Sequence, residues 1–448
     1  MTTAPVLSLI LAAGKGTRMC SQLPKPMHRL AHRSMLGHVM ATVQKAGHTE
    51  IAVIIGPHME LLRDEAYTHS AECRVYIQPK QLGTADAVLS AREALAKHTG
   101  DIFILFADTP LLRSETLQKI SATLDQGANI VVVGFETQDP TGYGRLLTDT
   151  QGNLKAIREH NEASELERKI RICNSGVMAF RCCDIIKMLN KIKNNNTKRE
   201  FYLTDIVEIA HNDNLQSRVV ICDEEELLGI NNRAQLASAE LKFQKQIRLE
   251  VMNNGVTLVD PSSVWFAYDT KLGQDVTIEP NVFFGSGVTI ADGVYIRANS
   301  YIEGAIIGSC ASVGPFTRLR PGAKLGSHSN IGNFVEAKNV DIGEKVKANH
   351  LSYLGDGTIG SESNIGAGTI FCNYDGFHKH RTQIGKESFI GSNTSLVAPV
   401  KLGKGVIIGS GSVITKNVPD GTLALERSSQ IHKKGWATRF RTMMLRKK

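Results

Sequence analysis

Two hydrophobic periods divide the chain. Up to about residue 230, continuous apolar runs recur with helical patterns between them: VLSLIL from Val6, IAVIIG from Ile51, RVYIQ from Arg74, DIFILFAD from Asp101 and NIVVVGFE from Asn129. Val- and Ile-rich runs without polar alternation suit strands buried on both faces, so they predict a parallel sheet flanked by helices. Ligands of such sheets collect beyond the carboxyl ends of the strands, where the loop after the first run and Asp108 fall. From Asn232 to about Met252, NRAQLASAELKFQKQIRLEVM has neither Gly nor Pro and is rich in helix formers, which predicts a connecting helix.

After Lys271 the period becomes six. Leu272, Ile278, Phe284, Ile290, Ile296 and Ile302 share one register. After a slip the pattern resumes at Ile307, Val313, Leu319, Leu325 and Ile331, then at Ile342, Leu354, Ile359 and Ile365, and from Ile384 through Ile390, Leu396, Leu402 and Ile408 to Ile414. This is the signature of a parallel β-helix, in which each hexapeptide forms one side of a triangular coil and its aliphatic residue points to the axis. One interruption, nineteen residues from Ile365 to Ile384, contains FCNYDGFHKHRTQ. A solenoid expels such an insert as a loop, and this one is chemically rich. The expected organisation is an α/β domain over 1–231, a linker helix over 232–252 and an all-β solenoid over 253–448.

Charge and cysteine content narrow the setting. Of the net charge of +8, seven basic residues lie in the last sixteen, KKGWATRFRTMMLRKK, which leaves +1 for the rest. A solvated basic terminus explains this more simply than nucleic-acid binding, and the tail has a further possible role on the phosphates of a bound cofactor. No apolar run is long enough to span a bilayer, so no integral membrane association is expected. Eight cysteines include no CxxC pair, and Cys182 and Cys183 are adjacent, which fits neither a disulfide framework nor a zinc site. A reducing cytoplasm is the expected compartment.

The loop LAAGKGTRMCSQLPKP, Leu11 to Pro26, follows the first strand. It is not a Walker loop, because Gly14 and Gly16 are one residue apart and no Ser or Thr follows the lysine. It is not a dinucleotide fingerprint either, because Met19 stands where a third glycine belongs. What remains is a strand that turns at two glycines, with Arg18 and Lys25 close behind, an arrangement suited to a triphosphate. Read singly, Asp108 is equally a turn or helix cap, and Asn231 a cap for the helix that follows it.

An ordered set of motifs resembles the bacterial bifunctional family with N-acetylglucosamine-1-phosphate uridylyltransferase and glucosamine-1-phosphate acetyltransferase activities. The set comprises LAAGKGTRM with LPKP, QLGTADAV, ADTPLL, GYGRL, NSGVMAF, GINNRAQL, RLRPGA, NFVEAKN, NHLSYLGD, NIGAGTIFCNYDG and GSNTSLVAP, and it spans almost the whole chain. The resemblance implies a Rossmann-like nucleotidyltransferase domain joined by a helix to a left-handed parallel β-helix. It implies that the phosphate of N-acetylglucosamine-1-phosphate attacks the α-phosphorus of UTP and releases pyrophosphate. By the same resemblance Leu11, Ala12, Ala13, Gly14 and Gly16 lie against the nucleotide, and Arg18 and Lys25 neutralise phosphates. Gln78, Gly83 and Thr84 read uracil and ribose, and Gly144, Glu159 and Asn174 hold the acetamido sugar. Asp108 and Asn231 bind Mg²⁺, with Asn231 also at the substrate. Ala107 and Ser175 depart from the commoner Gly and Thr, and the methyl of Ala107 is expected to crowd a close backbone approach.

For the solenoid the resemblance implies acetyl transfer from acetyl-CoA to the amine of glucosamine-1-phosphate, in a homotrimer with the site between subunits. An ammonium has no lone pair, so the attack needs a base, and His350 is the candidate, with Glu336 as a partner that orients it. Arg320, Lys338, Tyr353 and Asn364 match the sugar-phosphate positions, with stabilisation of the oxyanion at the thioester as the alternative role of Tyr353. Asn373, Tyr374, Lys379, Ala367, Ser392, Ser410 and Arg427 match those of the acetyl-CoA chain, Ser410 replacing a small apolar residue. The competing expectation is a sugar-1-phosphate nucleotidyltransferase whose β-helix is only structural or regulatory; it predicts no polar constellation on the coils.

Overall fold

The computed structural model describes residues 5–181 and 184–446. Cys182 and Cys183 lie outside them, as do Lys447 and Lys448 of the basic tail; the six cysteines among the described residues are free thiols. The chain forms two compact units, Met1–Lys245 and Gln246–Lys448, which divide inside the helix Arg233–Asn253. No helix among the described residues is long and apolar enough to cross a membrane.

The first unit is built on a sheet whose main path runs Ser217–Cys222, Ile130–Glu136, Ile172–Phe180, Asp101–Phe106, Val6–Leu11, Glu50–Ile55, Arg74–Ile77. Leu9 pairs with Ala52 on one side and Ile104 on the other, and all three are fully buried, as continuous apolar runs require. The sheet is not wholly parallel: Ile172–Phe180 runs antiparallel to both neighbours. Its run ICNSGVMAF is broken by Asn174, Ser175 and Gly176, where the register also shifts, so it lacks the apolar continuity of the other strands. The chain moves outward from Val6–Leu11 in one direction and then returns to pair Asp101–Phe106 on its other side. That reversal opens a crevice at the carboxyl ends of these two strands.

In the second unit the strands are mostly two to four residues long and pair in parallel one coil apart, as Thr277 with Tyr295 and Tyr295 with Ser312. The aliphatic residues of the six-residue period form one continuous core, with Leu272 half-buried at its edge. Ala337, Ala348 and Phe371 occupy the slots that seemed vacant, all at most 1% exposed. Phe371 therefore continues the ladder into the interruption, and the expelled loop is confined to Tyr374–Arg381, after which Ile384 stacks on Ile359.

Two buried histidines give the first unit a pH dependence. His38 bonds the Leu30 carbonyl and His48 bonds Ser8, and burial pushes both down to about 4. A depressed folded pKa stabilises above the unfolded value of about 6.5, and that contribution is lost as pH falls toward 4. By pH 5 the loss is about 2 kcal/mol per histidine. Thermal unfolding of the first unit is expected to shift down between pH 6.5 and 5, and the His38→Gln/His48→Gln variant to show a flatter slope; equal slopes would contradict this.

Candidate active sites

The crevice in the first unit is a cavity of about 410 Å³, lined by Leu11, Ala12, Ala13, Gly14, Lys15, Lys25, Gln78, Gln81, Gly83, Thr84, Ala107, Asp108 and Glu200 among others. Gln78 is buried, and its amide nitrogen is committed to the Gly83 carbonyl at 2.9 Å and to Asp86 at 2.8 Å. Its carbonyl oxygen remains as an acceptor, which suits an imide N–H. Gly83 has φ 124°, and a Cβ there would lie 2.5 Å from the Phe201 carbonyl oxygen, so no other residue fits. Ala107 is buried and packs in the hydrophobic core, so its methyl is accommodated by neighbouring apolar residues.

A second cavity of about 210 Å³ shares Thr84, Phe106 and Glu200 with the first and adds Glu159, Asn174, Lys198, Tyr202 and Thr204. Gly144 sits against it: its carbonyl accepts from Asn174 N at 2.8 Å, and a Cβ would come 3.6 Å from Glu159 Oε1. Asn174 reaches the crevice because its strand runs antiparallel, which puts the start of that strand beside the carboxyl ends of its neighbours. Ser175 points away, its hydroxyl donating to the Val133 carbonyl at 2.7 Å. Burial raises the pKa of Glu159, partly offset by a hydrogen bond from Thr204. Burial and the carboxylates of Glu162, Glu208 and Glu159 push Asp205 up to about 6, and burial with Glu200 pushes Tyr202 up to about 12. The lining carboxylates Glu159 and Glu200, with Asn174 and Thr204, suit the hydroxyl and amide groups of a neutral ring.

Between loop and sheet, four expected residues meet. Lys25 Nζ bonds Asp108 Oδ2 and, at 3.1 Å, Asn231 Oδ1, which also accepts from Arg18 Nη2 at 3.0 Å. The helix cap falls to Asn232, whose side chain accepts from Gln235 N at 2.8 Å. Asn231 is thereby left to the cluster. Gly16, with φ 61°, lets the loop close on Lys25, since a Cβ there would lie 2.7 Å from the lysine Cβ.

On the coils, His350 Nδ1 lies 2.6 Å from Asn333 Oδ1, its register partner one coil earlier. A carboxamide oxygen only accepts, so Nδ1 carries the proton and Nε2 keeps a lone pair. Glu336 is not the histidine's partner. It lies past the corner marked by Phe334 (φ 58°), on the next face, where it pairs with Arg320 at 2.7 Å and Arg318 at 3.9 Å. Tyr353 stacks on Glu336 in the same ladder, and its hydroxyl lies 3.4 Å from Asn373 Nδ2. Lys338 pairs with Gly355 in that ladder, and Asn364 pairs with Lys347, three residues before His350. Tyr374 and Lys379 form a bridge at the mouth of the insert loop. Ala367, Ser392 and Ser410 follow a stack of turns: Asn393 N donates to the Ala367 carbonyl, Gly411 N to that of Ser392 and Arg427 Nη1 to that of Ser410.

Sequence reading missed Asn333, Tyr202 and Thr204. Asn333 stands 17 residues before His350, one coil, and that offset was the available signal. Tyr202 and Thr204 come from a segment without period, joined to Glu159 only by the fold.

Comparison with known proteins agrees with this division. Residues 8–172 match the MobA-like NTP transferase domain, and residues 269–304 and 381–416 match the bacterial transferase hexapeptide (six repeats). The chain is 52% identical over 442 residues to the bifunctional protein GlmU of Azorhizobium caulinodans, covering 98% of both chains. It is 51% identical to that of Bradyrhizobium sp. and 47% to that of Paramagnetospirillum magneticum, in each case covering 100% of this chain and 99% of the relative. With both units matched along nearly their whole length at this level of identity, the chain belongs to the family of bifunctional GlmU proteins.

Proposed function

We propose that the chain makes UDP-N-acetylglucosamine in two steps, acetylating glucosamine-1-phosphate with acetyl-CoA on the coils and transferring uridylyl from UTP to the product in the first unit. In the acetyl step His350 Nε2 takes the proton as the amine attacks the thioester carbonyl, and CoA leaves as its thiol. Asn333 holds the tautomer, Tyr353 polarises the thioester oxygen, Arg320 and Lys338 face the sugar phosphate, and Lys379 and Arg427 meet the phosphates of CoA. In the uridylyl step the sugar phosphate attacks the α-phosphorus and pyrophosphate leaves. Both reactants are anions, so Arg18 and Lys25 act by charge, and the two adjoining cavities by position.

The Asp108 and Asn231 oxygens already converge on one cation, the Lys25 ammonium. Such a pair suits Mg²⁺, which takes few protein oxygens and completes its shell with water and substrate phosphates. Asp108 and Asn231 would hold the ion, which supplies charge neutralisation at the phosphates when bound. Phe316, Phe334 and Leu351 form an exposed apolar column at the corner beside Asn333 and His350. That column supports a homotrimer whose acetyl site is completed by a second copy.

The observation that carries the reading is the second constellation: a merely structural coil gives no reason for the aligned His350, Asn333, Arg320, Glu336, Tyr353 and Asn373. The test is to incubate the protein with glucosamine-1-phosphate, acetyl-CoA, UTP and Mg²⁺ and follow free thiol and pyrophosphate separately. Both are expected. Pyrophosphate from added N-acetylglucosamine-1-phosphate with no thiol release would favour the structural coil.

A further inference from the structure

Asp356 is a carboxylate with no role in the site as described so far. It is 5% exposed and sits three residues after Tyr353 in the strand Tyr353–Ile359. A buried carboxylate is costly unless its oxygens are filled. Here one oxygen accepts from Asn339 Nδ2 at 2.7 Å and the other from Asn373 Nδ2, the two donors lying 17 residues before and 17 after, one coil in each direction. Burial raises the pKa of Asp356, but the two amide bonds and the charges of Lys338 and Lys379 outweigh it and hold the carboxyl below the usual range.

An ionised carboxylate only accepts, so Asn373 must present its nitrogen to Asp356 and keep its Oδ1 as the acceptor left for a ligand. Asn373 is also the root of the insert loop. Its backbone carbonyl accepts from His380 N at 2.8 Å, and the Tyr374–Lys379 bridge follows directly.

We propose that Asp356 is a positioning residue for acetyl transfer, fixing the Asn373 amide with its carbonyl free for the acyl donor and anchoring the loop that carries Tyr374 and Lys379. The inference rests on the reading of this site as the acetyl-transfer site. It acts on acetyl-CoA affinity more than on the chemical step.

The test is Asp356→Asn in the full-length chain, with thiol release measured against acetyl-CoA and against glucosamine-1-phosphate, and pyrophosphate release as the control. Asparagine offers one acceptor where two are needed. Losing a charge-assisted bond is expected to raise the acetyl-CoA KM on the order of 10- to 100-fold and change kcat and the sugar KM far less. Asn339→Gly removes the other donor, tolerates the local φ of 46° and leaves the Asp356–Asn373 bond in place. Its acetyl-CoA KM is expected to stay near that of the unsubstituted protein. An unchanged KM in Asp356→Asn, an equal rise in Asn339→Gly, or failure of Asp356→Asn to fold would each overturn the inference by making Asp356 a support of the coil alone. Failure of the underlying reading looks different: the unsubstituted protein would release no thiol.

Discussion

Replacing His350 by alanine is expected to lower acetyl transfer by about 10²–10⁴-fold, the usual contribution of a positioned general base, and to leave pyrophosphate release unchanged. The expectation follows from the tautomer. Asn333 Oδ1 accepts a hydrogen bond from Nδ1 at 2.6 Å, so in the neutral ring the lone pair is on Nε2, and removing the ring removes the acceptor for the amine proton. The coil does not depend on this side chain, because its axis is filled by Ile331, Ala348, Ile365 and their neighbours, while His350 is exposed. The variant should therefore keep its thermal transition and its oligomeric state. Loss of the acidic limb in the pH profile of kcat/KM distinguishes a titrating base from a scaffold. Near-normal acetyl transfer at neutral pH, or an oligomer that falls apart on sizing, would assign His350 to packing instead.

Replacing Asp108 by alanine is expected to cost uridylyl transfer about 10³-fold or more while acetyl transfer stays normal. Removing the carboxylate of a two-oxygen cation site forfeits several kcal/mol of charge stabilisation at the phosphates, and each 1.4 kcal/mol is tenfold in rate. Asp108 also pairs with the Lys25 ammonium, so its loss leaves that lysine held only by the Asn231 amide oxygen. The measurement is pyrophosphate release against Mg²⁺ concentration. A variant with the metal dependence of the unsubstituted protein would show that Asp108 serves the turn after its strand and nothing more.

What the sequence made legible depended on side-chain size and spacing. The ladder from Ile278 to Ile414 was visible because most of its slots hold a large apolar residue, whereas Ala337 and Ala348 fill equivalent slots and leave no mark in a hydrophobic pattern. The antiparallel strand Ile172–Phe180 was hidden because the polar residues that serve the cavity interrupt its apolar run. Loop glycines and basic residues pointed to the crevice, and the fold links Arg18 to Asn231, Asn231 to Lys25 and Lys25 to Asp108 by hydrogen bonds. The histidine's partner was misjudged for a geometric reason. Glu336 and Asn333 are three residues apart but on opposite sides of a coil corner, and only the 17-residue coil length decides which one faces His350. The same length hides Asn339, Asp356 and Asn373, whose contact depends on three successive coils being in register.

The claim that one chain carries two separate chemistries is tested most directly by mixing the two dead variants. With glucosamine-1-phosphate, acetyl-CoA, UTP and Mg²⁺, neither His350→Ala nor Asp108→Ala alone should form UDP-N-acetylglucosamine at an appreciable rate. An equimolar mixture should form it readily, because the acetylated sugar phosphate made by one variant is free to reach the intact crevice of the other. Absence of product from the mixture, with each variant retaining its own half-reaction, would show that the intermediate does not pass between independent sites. Loss of both half-reactions in either variant would contradict the division itself.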